Sequence, residues 1–485
     1  MAGVTGIGSG IDIDSIVKSM VAAERAPKET QLANLEKKTT TQITAIGALK
    51  SAISEFQTAL GGLNKPDLFQ ARSATSSKAD QVGVTASTKA GAGTYQVEVK
   101  SLATSSKVAL QPLTNTAEAP ATFGGGTLTF KVGEKSLEVT VDDGNNTLAG
   151  IRDAINAGGK EMGLTATIVT DDAGARLVLS SARTGEGEDI TVEGKTVDAG
   201  LGGLSLEALS FDGSIVQPDP ENEEAMALYR KGPMTLSQAQ SAEISVDGLL
   251  ITSKTNKIEG AIEGVTLDLK AKTAANEPLT INVAEDKAGV KKQVQSFVDA
   301  YNKLIGVINA QTKVTSVGDG KAPVTGALVG DATARTLLGT IRNELVNVQG
   351  DGALRALTDI GITTQKDGTL GIDSDKLDKA MADNFNELPG LFTGDKGLAS
   401  RLDEKLKPYT ETGGILEQRN KAMTETISDI DKQKENLNLR ITSLQERLLK
   451  QFNAMDLLVG QLSNTSSSLL ASLENLPWAA SNSKK

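Results

Sequence analysis

The sequence predicts an α+β multidomain protein, with helices at both chain ends enclosing β-rich domains in the middle. Two observations carry this reading. Near each end the apolar residues recur on alternating steps of three and four, the period of a helix that packs along one seam. Between about residues 71 and 285 the period changes to two, the signature of half-buried strands.

The elements follow in chain order. Asp12 or Asp14 is placed to cap a short helix bearing Ile13, Ile16, Val17 and Met20, and Pro27 is expected to end it after Ala26. A seam then runs through Leu32, Leu35, Ile46, Leu49, Ile53, Phe56, Leu60 and Leu63, with Thr39 and Gln42 filling its two polar positions, until Gly61-Gly62 and Pro66 stop it. In "TYQVEVKSL", Tyr95, Val97 and Val99 share one face. "TLTFKV" and "SLEVTV" point Leu128, Phe130, Val132, Leu137, Val139 and Val141 inward around a "GEK" turn. A short helix with Asn146 as its expected cap carries Leu148, Ile151 and Ile155, and the strands "TATIVT" and "RLVLSS" follow. In "EISVDGLLITS" the pair Asp247-Gly248 suits a turn in which both central residues have positive φ. "VTLDLK" and "LTINV" complete the β-rich region.

Helices then return. Asp286 is expected to cap one bearing Val290, Val294, Phe297, Tyr301, Leu304 and Ile308, and Asp331 one bearing Leu337, Leu338, Ile341 and Leu345. A small hairpin turns at Asp367-Gly368. The last seam takes in Met423, Ile427, Ile430, Leu437, Ile441, Leu444, Leu448, Met455, Leu458, Leu462, Leu469 and Leu476, broken by Lys434, Gln451, Thr465 and Ser472. A single helix cannot bury its own stripe, so this segment needs a partner: the N-terminal seam, or another chain.

Composition narrows the function. The chain of 485 residues has no cysteine and no histidine, which excludes disulfides, Cys/His zinc sites and imidazole general bases. A net charge of −11 with no basic block argues against nucleic acid. Aromatics are 3% of residues, too few for a ligand cleft rich in rings. No apolar run is long enough to insert in a membrane, and no basic-then-apolar leader predicts a cleaved signal.

Three candidates for chemistry fail on spacing. "GIGSG" (Gly6–Gly10) has its third glycine one position early for a dinucleotide loop, and no G-K-[ST] follows; it reads as a flexible elbow. "VDDGNN" and "TDDAGA" lack the ligand positions of a calcium loop and read as solvated turns. Carboxylate pairs carry no information among 61 acidic residues. No catalytic, cofactor or metal residue is expected, and the seams are the specific feature.

The residues carry a family resemblance. "GIGSGIDIDSIVKSMVAAERAP" resembles the opening of the flagellar filament cap (hook-associated protein 2) family, and "GTYQVEVKSLA" its first head strand. "FGGGTLTFKV…TLAGIRDAINAG…GLTATIVTDDAGARLVLSS" is similar to a repeat in flagellin heads. "FVDAYNKLIGVIN", "ALVGDATARTLL", "LTDIGITTQKDGTLGIDSDKL" and "RLLKQFNAMDLLVGQLSNTSSSL" follow in the family's order.

The resemblance implies discontinuous terminal coiled-coil helices and a helical leg domain, with inserted β-rich head domains. Residues 1–40 are expected to pair with 440–485. Residues 41–70 with 286–439 form the leg and carry the small hairpin. Residues 71–117 with 240–285 form one head domain, and 118–239 an inserted one. The function implied is a non-enzymatic cap at the distal, extracellular end of the flagellar filament. A homo-oligomeric ring there promotes folding and insertion of exported flagellin and prevents its leakage. Partners implied are other copies, flagellin, the hook–filament junction protein and a cytoplasmic export chaperone at the C-terminal segment, with host mucin as an adhesin's partner. The alternatives are a tip adhesin for mucin or glycans, and a flagellin or junction protein. The expected assembly residues are Ile13, Ile16, Met20, Leu49, Ile53, Phe56, Leu444, Leu448, Phe452, Met455 and Leu462.

Overall fold

The computed structural model describes residues 10, 12–116, 120–198, 203–318, 320, 322–347 and 352–474. The chain divides into two compact units. One is helical, with described residues from Gly10 to Phe69 and from Lys287 to Glu474; the other, Gln70–Asp286, is rich in strands.

The helical unit opens with one helix of 51 residues, Ile13–Leu63. Asp12 caps it, its Oδ1 accepting from the Ser15 amide at 3.0 Å. The break expected at Pro27 does not occur: the proline lies inside the helix. Proline removes one backbone donor, which leaves the carbonyl four residues back, that of Ala23, without its helical partner. Ala23 is exposed, so water can bond that carbonyl, while Val21 and Leu32 on either side are buried and hold the helix through the gap.

Helix Lys287–Thr312 begins directly after Asp286 and packs against the first helix. Phe56 sits 5.6 Å from the Phe297 ring and 5.8 Å from Tyr301, in tilted and edge contacts. The Tyr301 hydroxyl, deep in this core, donates to the Gly368 carbonyl at 2.9 Å. Asn302 bonds both backbone groups of Leu370. The small hairpin, Ile362–Thr364 with Leu370–Ile372, is thus anchored by side chains of a helix, and Gly368 takes the positive φ its turn requires. Helices Ala332–Val346, Ser374–Asp383 and Leu398–Thr410 close the core. A helix of 60 residues, Ile415–Glu474, ends the described chain.

The β-rich unit has two cores. The first lies within a five-stranded antiparallel sheet, in the order Arg72–Ser76, Leu279–Glu285, Gly93–Ser101, Ala242–Val246, Leu249–Ser253, and a three-stranded sheet, Lys257–Ile262, Val265–Leu269, Val82–Ala86. Asp247 and Gly248 have φ of 50° and 85°, as their hairpin demands. The second core lies within the sheet Met234–Ser237, Ser105–Ala109, Gly174–Thr184, Leu164–Asp171 and the sheet Lys135–Val141, Gly125–Val132, Ile190–Asp198, with helix Leu148–Gly158. Thr147, not Asn146, caps that helix; its hydroxyl accepts from the Gly150 amide at 3.1 Å.

The boundary expected at residue 117 differs in the structure. Ser105–Ala109 pairs with Gly174–Thr184, so the chain enters the inserted domain near residue 104. Short strands such as "SSKVA" carry too little alternation to reveal which sheet they join. The acidic turns fold their carboxylates inward: Asp142 accepts from the Gly144 amide, and Asp171 from those of Ala173 and Gly174. Asp171 also pairs at 2.7 Å with the fully buried Arg176, whose guanidinium binds the carbonyls of Leu110, Arg230 and Gly232.

Phe56 fills the centre of the helical core, so Phe56→Ala should cost about 3–5 kcal/mol in chemical denaturation of the full chain.

Candidate assembly surface

The two long helices run antiparallel, and three cross-helix ion pairs record the register. Lys50 pairs with Glu417, Glu36 with Lys434 at 2.5 Å and Glu24 with Arg440 at 3.4 Å. All three are at least a third exposed, so each contributes about 0–1 kcal/mol and sets alignment more than stability. The stability comes from the seam between them. Ile13, Val17, Val21 and Leu32 bury against Ile430, Leu437 and Ile441, flanked by half-buried Ile427, Leu444, Leu448, Leu449 and Phe452. A buried aliphatic side chain stabilises by about 1.5–3 kcal/mol, which outweighs the exposed charges. Thr39 is buried with its hydroxyl donating to the Leu35 carbonyl at 2.9 Å, so a polar seam residue is tolerated without an orphaned donor.

The C-terminal helix is fixed at its root by Asp331. Its Oδ1 accepts from the Ala334 amide and caps helix Ala332–Val346. The same carboxylate takes the Arg419 guanidinium through both oxygens, at 3.0 and 2.5 Å. The Arg419 hydrogen bonds hold the Asp331 carboxyl below the usual range, against the opposing effect of its burial.

The far end of the same helix is different. Phe452 is the last residue in the described chain that packs on the terminal seam. Beyond it Met455, Leu457, Leu458, Leu462, Leu469, Leu470 and Leu473 are exposed, Leu462 at 68%. Met455, Leu458, Leu462 and Leu469 form one row at seam spacing. The cause is length: the first described helix starts at Ile13, level with the region of Phe452, so its seam residues do not reach the apolar side chains from Met455 to Leu473. From Leu457 to Leu473 the sequence "LLVGQLSNTSSSLLASL" has no charged side chain. Such a face can pair only through apolar contact and uncharged hydrogen bonds.

The residues expected to carry assembly fall into three groups. Leu49, Ile53 and Phe56 are buried in the core of the helical unit, where they hold the helices together and present nothing outward. Ile13 is buried in the terminal seam, with Leu444, Leu448 and Phe452 half-buried on it. Ile16 and Met20, exposed on the first helix, and Met455 and Leu462, exposed on the last, are accessible to another chain. The expected pairing of residues 1–40 with 440–485 is shifted toward the root of the last helix: Glu36 meets Lys434, and Glu24 meets Arg440. Sequence reading missed the exposed Leu457, Leu470 and Leu473, which lie off the seam. The charge-free run was the available signal for them. Gly6 and Gly8 of the elbow, and Leu476 of the seam, lie outside the described residues.

Comparison with known proteins places these features in context. Residues 9–106 match the family model described as flagellar hook-associated protein 2 N-terminus, and residues 239–464 that of its C-terminus. Residues 127–183 match the flagellin hook IN motif. The B-type flagellar hook-associated protein 2 of Pseudomonas aeruginosa is 48% identical over 483 residues, covering 99% of each chain. The flagellar hook-associated protein 2 of Escherichia coli K12 is 31% identical, covering 97% of each. The crystal structure of the flagellar cap protein FliD D1-D2-D3 domains from Escherichia coli superposes with a TM-score of 0.60 at 28% identity, covering 78% of this chain and 99% of that one.

A depressed folded-state pKa gives Asp331 a stabilising effect that is full above its unfolded value of about 3.9 and is lost as pH falls through the lower folded value. Asp331→Asn should therefore cost about 2 kcal/mol at neutral pH, the worth of a charged hydrogen bond. Denaturation titrations should show the gap between variant and parent closing in acid.

Proposed function

The chain belongs to the flagellar hook-associated protein 2 family, and we infer from that membership that it caps the bacterial flagellar filament at its distal, extracellular end. Its role is structural: it supports the folding and insertion of exported flagellin and prevents its loss. The observation that carries the mechanism is the exposed apolar row Met455–Leu469 on the C-terminal helix.

A cap must hold the filament tip yet let each new subunit pass beneath it. That calls for contacts that form and release. The row suits this because it is apolar but interrupted by Thr465, Ser466, Ser467 and Ser468, which lower its affinity as polar seam residues do. Its occupants are helices of other copies in a ring and of flagellin, or of the hook–filament junction protein before any flagellin is added. A cytoplasmic export chaperone would cover the same leucines before export. The chain has no disulfide to block its passage in unfolded form through a narrow channel. Nothing in the described residues of the β-rich unit singles out a mucin or glycan.

The test is a triple variant, Leu458→Ser, Leu462→Ser and Leu469→Ser. These side chains are exposed, so thermal unfolding should shift by only a few degrees. Self-association in sedimentation velocity should disappear, and cells carrying only this variant should release flagellin into the medium. Normal filaments and no leakage would overturn the proposal. Because the stretch is uncharged, association of the parent chain should persist in molar salt.

A further inference from the structure

Within the β-rich unit the inserted domain is joined to its base by two crossing strands. Thr104 and Gln240 exchange both backbone hydrogen bonds there, and the Thr104 hydroxyl donates to the Gln238 carbonyl at 2.7 Å. Two adjacent strands of this kind make a hinge, since rotation about them breaks few contacts. A third connection lies beside these strands, with the Gly185 amide donating to the Thr104 carbonyl at 3.3 Å. It is the loop after strand Gly174–Thr184, residues 184–189 of the inserted domain, which reaches back onto the base.

We propose that residues 184–189 are a latch that locks the inserted domain to its base, so that the two head domains move as one plate. The Thr184 hydroxyl donates to the Lys254 carbonyl at 2.6 Å. The Glu186 amide donates to the Ser241 hydroxyl at 3.0 Å, and the Ala239 amide to Asp189 Oδ1 at 2.9 Å. Glu188 lies between the domains with its side chain 8% exposed, held at 2.7 Å by Arg183 of the insert and at 3.4 Å by Lys254 of the base. A buried carboxylate needs its partners, so pulling the domains apart strips it of one cation.

Gly185 makes the approach possible. Its φ is +107°, a conformation other residues rarely adopt, and a Cβ there would stand 2.6 Å from the Lys254 Cβ and 2.8 Å from its Cα. Gly185 therefore sits directly against the Cα and the side-chain stem of Lys254, and a side chain at this point wedges the latch open. Asn256 completes the seat from the base side, bonding both the amide and the carbonyl of Ala103 at the foot of the hinge.

The chain has no cysteine, so two introduced thiols are the only labelling sites. Spin labels at Glu138→Cys in the insert and Glu263→Cys in the base, in full-length chain diluted into excess unlabelled protein, report the distance between the domains. The parent should give one narrow distance distribution. Gly185→Val should at least double its width, with strand content unchanged by circular dichroism. If Gly185→Val fails to fold, the pair Thr184→Val with Lys254→Met removes latch contacts without a wedge and should broaden the distribution likewise. A broad distribution in the parent, or a narrow one in a folded latch variant, would overturn the proposal.

Discussion

The structure depends on a mismatch in length between two antiparallel helices. An apolar stripe in water gains nothing, and the same stripe against a partner stabilises by about 1.5–3 kcal/mol per side chain. The first helix supplies a partner for the C-terminal helix as far as Phe452 and then ends. What remains is a helix with the same leucine spacing whose leucines are exposed. One continuous pattern thus has two parts: the near part holds the chain's own ends together, and the far part is the surface proposed to meet other chains.

The far part is held at a distance by the near part. Asp331 and Arg419 tie the root of the helix to the bundle, and the seam from Ile13 to Ile441 keeps the two long helices parallel in axis. Polar contacts set position here, and apolar contacts supply the energy. The same division recurs in the β-rich unit. Each of its two domains has its own aliphatic core, and the junction between them is made of hydroxyls, amides and one buried carboxylate.

Much of this was legible in the sequence, for identifiable reasons. Strand faces such as Leu128, Phe130 and Val132 obey a period of two because one side is buried. Positive φ at Asp247-Gly248 and Gly368 follows from the residue types that tolerate it. The failures also have causes. Sequence alone ends a helix at Pro27 because the rule considers the missing donor, not the packing of Val21 and Leu32 that spans it. The sequence does not show that Ser105–Ala109 joins the inserted domain, because five residues do not declare their sheet partner. Leu49, Ile53 and Phe56 share the spacing of the assembly row, yet lie in the core of the helical unit. Periodicity reports that a face is buried; it does not say against what. The contact at Gly185 is invisible in the sequence, since it depends on a close approach to Lys254 from a distant part of the chain.

Hydrogen–deuterium exchange compared between the isolated chain and the assembled cap on filaments tests the central claim most directly. Amides from Ile427 to Phe452 should be protected in both states, and those from Asn453 to Glu474 should exchange quickly in the isolated chain and slowly in the assembly. Equal protection of the two stretches in the isolated chain, or no gain in the far stretch on assembly, would contradict it.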